Sequence, residues 1–161
     1  MTKKVKPILT VVNAGGHLTQ ALCIMQAIPE FHLVTSVNIK ADTGAKSLTV
    51  IKSSQFNPLR HFTNVFKAIG IIRKINPQAV FSTGGPICIP FALAAKLLGV
   101  KFIYLDTLSR VVEPSHTCAF LYRFRLADQI FCQWQAVANK YPRIQYHGKT
   151  FNICDHGNVP L

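Results

Sequence analysis

The chain has 161 residues, of which 49% are hydrophobic and only 15% charged, so it is long enough to bury one full core and too apolar to be disordered. Eighteen lysines and arginines against six acids give a formal charge of +12, which points to a polyanionic partner: phosphates, nucleic acid or an anionic membrane surface. No run of about 18 uncharged apolar residues is present, which argues against a membrane-spanning helix.

In chain order, short apolar runs alternate with helix-length segments. The basic start resembles a signal peptide, but the apolar run Ile8–Val12 is short and leads into Asn13-Ala14-Gly15-Gly16-His17 instead of a small-residue cleavage site. It reads as a first buried strand, followed by a helix over 17–28 that Pro29 stops. Strands over 31–37 and 48–52 come next, then a helix over Pro58–Ile75 opened by its own proline. A strand over 79–82 runs into Thr83-Gly84-Gly85, and a helix over 87–98 ends at Gly99. Lys101–Leu105 reads as a strand, 115–125 as a helix and Gln129–Cys132 as a strand. A short helix (135–139) and a last strand (144–147) follow. This alternation predicts a doubly wound, Rossmann-like parallel sheet in an α/β domain over 1–148, with 149–161 as a tail that is either loose or docked on a partner.

Such sheets bind ligands beyond the carboxyl ends of their strands. Three loops lie there. The first holds Asn13, Gly15, Gly16 and His17, with glycine turns and a helix start suited to phosphate. Neither GxGxxG nor a P-loop is satisfied. His17 reads either as a helix-capping side chain or, kept neutral by the helix dipole, as a proton acceptor. The second loop, Thr83-Gly84-Gly85-Pro86, offers further N–H donors or serves only as a tight connection. In the usual strand order it faces the first. The third holds Asp106, Thr107, Ser109 and Arg110, suited to orienting a sugar and a diphosphate, or else closing an internal ion pair.

Along Pro58–Ile75, Arg60, Lys67 and Lys74 share one stripe, while Phe62, Phe66 and Ile69 share another. Inward packing of the aromatics and outward contact of the cations with anionic headgroups accounts for both, and an ordinary solvated face accounts for the cations too. The segment 86–95 is apolar all round, which fits burial or shallow membrane contact. Five widely spaced cysteines without a CxxC pair suggest buried thiols in a reducing compartment, with neither disulfides nor a metal site. A nucleic-acid partner rests on charge alone, since no recognition motif or base-stacking series is present, and none is expected.

The strings NAGGHLTQAL, STGG, KLLGVKFIYLDTLSRVVEPSHT, FLYRFRLADQIFCQW and KYPRIQYHG together resemble the PssD/CpsF-type subunits of bacterial exopolysaccharide and capsule synthesis. These are related to the membrane-anchoring subunit of the two-part UDP-N-acetylglucosamine transferase of N-glycan precursor assembly. The likeness runs from about residue 8 to 148 and is most specific over 96–146. It implies the N-terminal, acceptor-side half of a split GT-B glycosyltransferase. A separate C-terminal-half subunit would hold most of the UDP-sugar, so no cofactor is bound tightly here. The pair would act peripherally at the cytoplasmic face of the inner or plasma membrane, on a polyprenyl diphosphate-linked saccharide. Gly15, Gly16 and His17 are then placed at the diphosphate or reacting hydroxyl, His17 as a candidate base for inverting transfer without a metal, with Asp106 a second catalytic candidate. The eukaryotic relative's N-terminal span has no counterpart in this sequence, so attachment is expected from basic charge and an apolar surface. Asp106-Thr107 departs from the family's usual Glu-Ser, and Gly84-Gly85-Pro86 from a frequent Gly-Ala-Gly. A non-catalytic scaffold that recruits and activates the partner is the alternative.

Overall fold

The structure, a computed structural model, describes residues 5–52 and 58–150. Seven strands form one sheet: β1 (Ile8–Val12), β2 (Phe31–Thr35), β3 (Ser47–Val50), β4 (Ala79–Gly84), β5 (Lys101–Leu105), β6 (Gln129–Cys132) and β7 (Ile144–Tyr146). Their order is β3-β2-β1-β4-β5-β6-β7 and every pairing is parallel. The crossovers are α1 (Gly16–Met25), α2 (Pro58–Ile75), α3 (Cys88–Leu98), α4 (His116–Arg123) and α5 (Gln135–Lys140). This is the doubly wound sheet expected, with the chain reversing direction between β1 and β4.

Strand residues alternate between two cores, as a period of two requires. Val80, Phe102, Tyr104, Ile130 and Cys132 join the core under α2, α3, α4 and α5. Phe81, Leu105 and Phe131 face the other side, where α1 supplies Ala21 and Met25. Helix ends follow from local chemistry. Gly99, at φ 66°, lets Val100 N–H reach the Ala95 carbonyl at 2.9 Å and closes α3. Ser115 caps α4 by accepting the Cys118 N–H at 3.1 Å. Burial of the apolar α3 is confirmed: Phe91, Ala92, Ala94 and Ala95 are wholly enclosed, and Leu93 and Leu97 point outward.

Two expectations fail. On α2 the buried stripe is Asn64, Ala68 and Ile72, while Phe62 and Phe66 are 62% and 61% exposed. Residues two apart lie about 200° round a helix, so choosing the 64–68–72 stripe turns both rings out. Ala68 on that stripe is wholly buried, in the core that α2 shares with α3. The rings meet edge-on at 5.2 Å beside exposed Leu59 and Lys67, and Lys74 is exposed further along. The Arg60 side chain lies outside the described residues. Second, Cys88, Cys118 and Cys132 are buried thiols, but Cys23 is disulfide-bonded, so cysteine spacing no longer argues for a wholly reduced chain. Spacing carries no signal for contact between distant residues. Cys154 lies outside the described residues. No described helix is long and apolar enough to cross a membrane.

Candidate functional site

The tips of β1 and β4 interlock. Their register slips between Thr10 and Val12, so Val12 pairs with Gly84 and the two following loops lie against each other. His17, in the first turn of α1, places Nδ1 2.9 Å from the Thr83 carbonyl, and the Thr83 hydroxyl donates back to the His17 carbonyl at 2.5 Å. A carbonyl only accepts, so Nδ1 carries the proton in this pair. Nε2 then presents its lone pair in the uncharged ring. Thr83 thus fixes both the tautomer and the direction of the imidazole.

Glycines make this contact possible. Gly84 and Gly85 are buried, at φ 131° and 90°. A Cβ on Gly84 would stand 2.6 Å from His17 Cε1, and one on Gly85 would stand 2.5 Å from Asn13 Cγ. Asn13 Oδ1 is buried here with no hydrogen-bond partner, an acceptor that the fold leaves unmatched. Gly15 and Gly16 differ: both are exposed, and a Cβ on either would meet nothing within 4 Å. Crowding therefore demands neither, although Gly15, at φ 87°, needs a glycine for its own backbone. Their bare backbone faces outward at the start of α1, where amides are available to an anion.

The third loop is built around Asp106, only 2% exposed. Its Oδ1 accepts the Thr107 N–H at 2.9 Å and its Oδ2 the Ser115 N–H at 2.8 Å. One carboxylate therefore ties the end of β5 to the cap of α4. Among the described residues no ion pair joins Asp106 to Arg110, so that alternative drops out. Thr107 and Ser109 hydroxyls lie 3.3 Å apart, and Ser109 and Arg110 are exposed at the rim. The structure thus joins Asn13, His17, Thr83, Gly84 and Gly85 in direct contact. The 106–110 loop occupies the same end of the neighbouring strand without a hydrogen bond to His17.

Two residues missed in the sequence complete the site. Gln133, 1% exposed, donates to the Asp106 carbonyl at 3.0 Å and to Gln20 Oε1 on α1 at 3.3 Å. Trp134 Nε1 donates to the Leu108 carbonyl at 2.6 Å. The available signals were a polar residue straight after an apolar strand and the single tryptophan of the chain. Burial disfavours the reactive thiolate at the nearby Cys88 and Cys118. Burial pushes Cys88 up to about 12, against a lowering hydrogen bond from Ser82, and burial raises Cys118 further.

The family profile described as oligosaccharide biosynthesis protein Alg14 like matches residues 43–150, which include the second and third loops. The chain belongs to the Alg14-like family. Human UDP-N-acetylglucosamine transferase subunit ALG14 is 25% identical, across 88% of this chain and 82% of that protein. The UDP-N-acetylglucosamine--N-acetylmuramyl-(pentapeptide) pyrophosphoryl-undecaprenol N-acetylglucosamine transferase of Prochlorococcus marinus is 28% identical over 84% of this chain, which spans 41% of it. Among solved structures, Acinetobacter baumannii MurG superposes with a TM-score of 0.62 at 19% identity, over 79% of this Alg14-like chain and 41% of that one. Rickettsia bellii UDP-N-acetylglucosamine 2-epimerase gives a TM-score of 0.69 at 13% identity, over 94% and 47%. These two likenesses establish the fold. The Alg14-like chain spans about half or less of each of the last three proteins.

Proposed function

We propose that this chain is the acceptor-binding, membrane-associating subunit of a two-part inverting UDP-sugar glycosyltransferase. Its acceptor is a lipid diphosphate-linked saccharide, and its setting is exopolysaccharide or capsule synthesis of the PssD/CpsF type. The observation that carries the reading is His17, held by Thr83 at Nδ1 with no hydrogen bond to Nε2 among the described residues, near the unmatched Asn13 Oδ1 and the exposed Gly15 and Gly16. The likeness to human UDP-N-acetylglucosamine transferase subunit ALG14, across 82% of that protein, supports a subunit whose donor site lies on a partner.

In this reading the acceptor diphosphate meets the Gly15 and Gly16 amides at the start of α1, with Thr107, Ser109 and Arg110 along its saccharide side. The acceptor hydroxyl attacks the anomeric carbon and gives its proton to His17 Nε2. The bond from that carbon to the UDP oxygen breaks, and the electron pair leaves with UDP, which the partner subunit holds. Asp106 acts by fixing the loop, since both its oxygens already accept backbone N–H groups. Coexpression with a C-terminal-half subunit should give sugar transfer to a polyprenyl diphosphate-linked saccharide that neither half gives alone. Transfer by this chain unaided to a soluble acceptor would overturn the reading.

Peripheral attachment at the cytoplasmic leaflet is assigned to α2, where Leu59, Phe62 and Phe66 are exposed alongside Lys67 and Lys74. Arg60 belongs to the same helix. Partial insertion of two phenyl rings contributes about 1–2 kcal/mol each, and each nearby cation about 1 kcal/mol at an anionic surface. Phe62→Ser with Phe66→Ser should therefore weaken sedimentation with phosphatidylglycerol vesicles about 30-fold or more. Lys67→Gln with Lys74→Gln, which removes about 1 kcal/mol per cation, should weaken it about 30-fold at low salt and reduce its salt dependence. Equal binding to neutral vesicles, or indifference to both pairs, would remove α2 from the membrane.

A further inference from the structure

Gln133 opens the turn between β6 and α5 and is among the largest fully buried side chains of the protein. A primary amide has two N–H donors and a carbonyl with two lone pairs. All four are used. Nε2 donates to the Asp106 carbonyl and to Gln20 Oε1, at 3.0 and 3.3 Å. Oε1 accepts the Thr150 N–H at 2.9 Å and the Thr150 hydroxyl at 2.6 Å. Three segments distant in sequence therefore meet on one side chain: α1, the loop after β5, and the segment after β7.

Its neighbour repeats the bridge. Trp134 donates to the Leu108 carbonyl at 2.6 Å, and the Lys149 ammonium sits 3.8 Å above its ring. Lys149 and Thr150, read from the sequence as the start of a tail either loose or docked on a partner, are thus both held by the domain itself, and Thr150 is 6% exposed. Beyond it the chain passes to residues 151–161, outside the described residues.

We propose that Gln133 and Trp134 are positioning residues that couple the seating of Lys149 and Thr150 to the geometry of the 106–110 loop. Firm seating of Lys149 and Thr150 then tightens the loop, and by linkage a ligand on the loop tightens that seating. The importance of this coupling for sugar transfer rests on the function proposed above. The coupling itself does not, because it is measurable without catalysis.

The test is amide hydrogen exchange on the full chain with Thr150→Val, which removes the hydroxyl bond and keeps the backbone N–H. Exchange at Asp106, Thr107, Arg110 and Ser115, all hydrogen-bonded amides, should speed up about tenfold. Emission from Trp134, the single tryptophan, should shift to the red and become more open to acrylamide quenching. In a Gln133→Leu background, Thr150→Val should add nothing further at those four amides. Lys149→Met, a milder surface change, should give the fluorescence shift even where Gln133→Leu fails to fold. Loosening confined to 147–150, with the loop amides unchanged within about twofold, overturns the coupling. So does a Thr150→Val effect that persists in full without Gln133. With the partner subunit present, Thr150→Val should raise KM for the lipid acceptor more than it lowers kcat. If exchange responds and that KM does not, the coupling stands and the assignment of the 106–110 loop to the acceptor falls.

Discussion

His17→Ala is expected to slow sugar transfer by the reconstituted pair about 10²- to 10⁴-fold, the range for losing a positioned proton acceptor. The effect should fall on kcat, because the imidazole is assigned to the attacking hydroxyl and the diphosphate to backbone amides that the change leaves in place. Stability should change little. One hydrogen bond to the Thr83 carbonyl is lost, about 1 kcal/mol, and the first turn of α1 keeps its Leu18 and Thr19 N–H bonds to the Gly15 carbonyl. His17→Gln is the sharper control: its amide can still donate to Thr83 and fill part of the ring's space, but it is no base. A rate as low as that of His17→Ala identifies proton transfer, whereas recovery with glutamine reduces His17 to a brace. Asp106→Ala should act differently. It releases the Thr107 and Ser115 amides, so a loss of acceptor affinity and of thermal stability should accompany any loss of rate. If both alanine variants transfer sugar at near wild-type rate, this chain is a scaffold for a partner that holds all the chemistry.

The order of elements was legible because proline and glycine punctuate it. Pro58 and Pro77 bracket α2, Gly99 closes α3, and alternating apolar runs mark strands buried on both faces. The facing of the first two glycine loops was legible too, since a doubly wound order puts β1 beside β4. The interlock was not. Strand β4 runs on to Gly84, two residues past the stretch that looks like a strand, and the register slips near the tip where Thr83 meets His17. The orientation of α2 was misread because its two aromatics are more hydrophobic than the Asn64 that is buried in their place. Asn64 Nδ2 donates to the Lys52 carbonyl at 3.2 Å, a bond that hydropathy cannot show. Gln133 was invisible for a related reason. Its burial is tolerable only because Gln20, 113 residues earlier, and Thr150 meet it.

Gly85→Ala is expected to be among the most damaging single-methyl additions in the described fold. The new Cβ would lie 2.5 Å from Asn13 Cγ and 2.8 Å from Asn13 Cβ, at a φ of 90° that alanine rarely adopts. Asn13 Cβ is fixed to the β1 tip and cannot rotate away, so either the strand end or the β4 loop must shift. Crowding and strain contribute about 1–3 kcal/mol each, together a large share of the roughly 5–15 kcal/mol that holds a domain folded. A melting temperature lower by about 8–15 °C is the expected result. Gly84→Ala should cost less stability, because the group it meets is the His17 ring, which can swing out by giving up Thr83. Its cost should appear in kcat instead. Asn13→Gly, which removes the opposing Cβ, should recover part of the stability lost in Gly85→Ala but none of the transfer, since Asn13 Oδ1 goes with it. A double mutant that melts at the sum of the two single losses would mean that the loops only pass near each other, and His17 would then lack the rigid wall on which its assigned role depends.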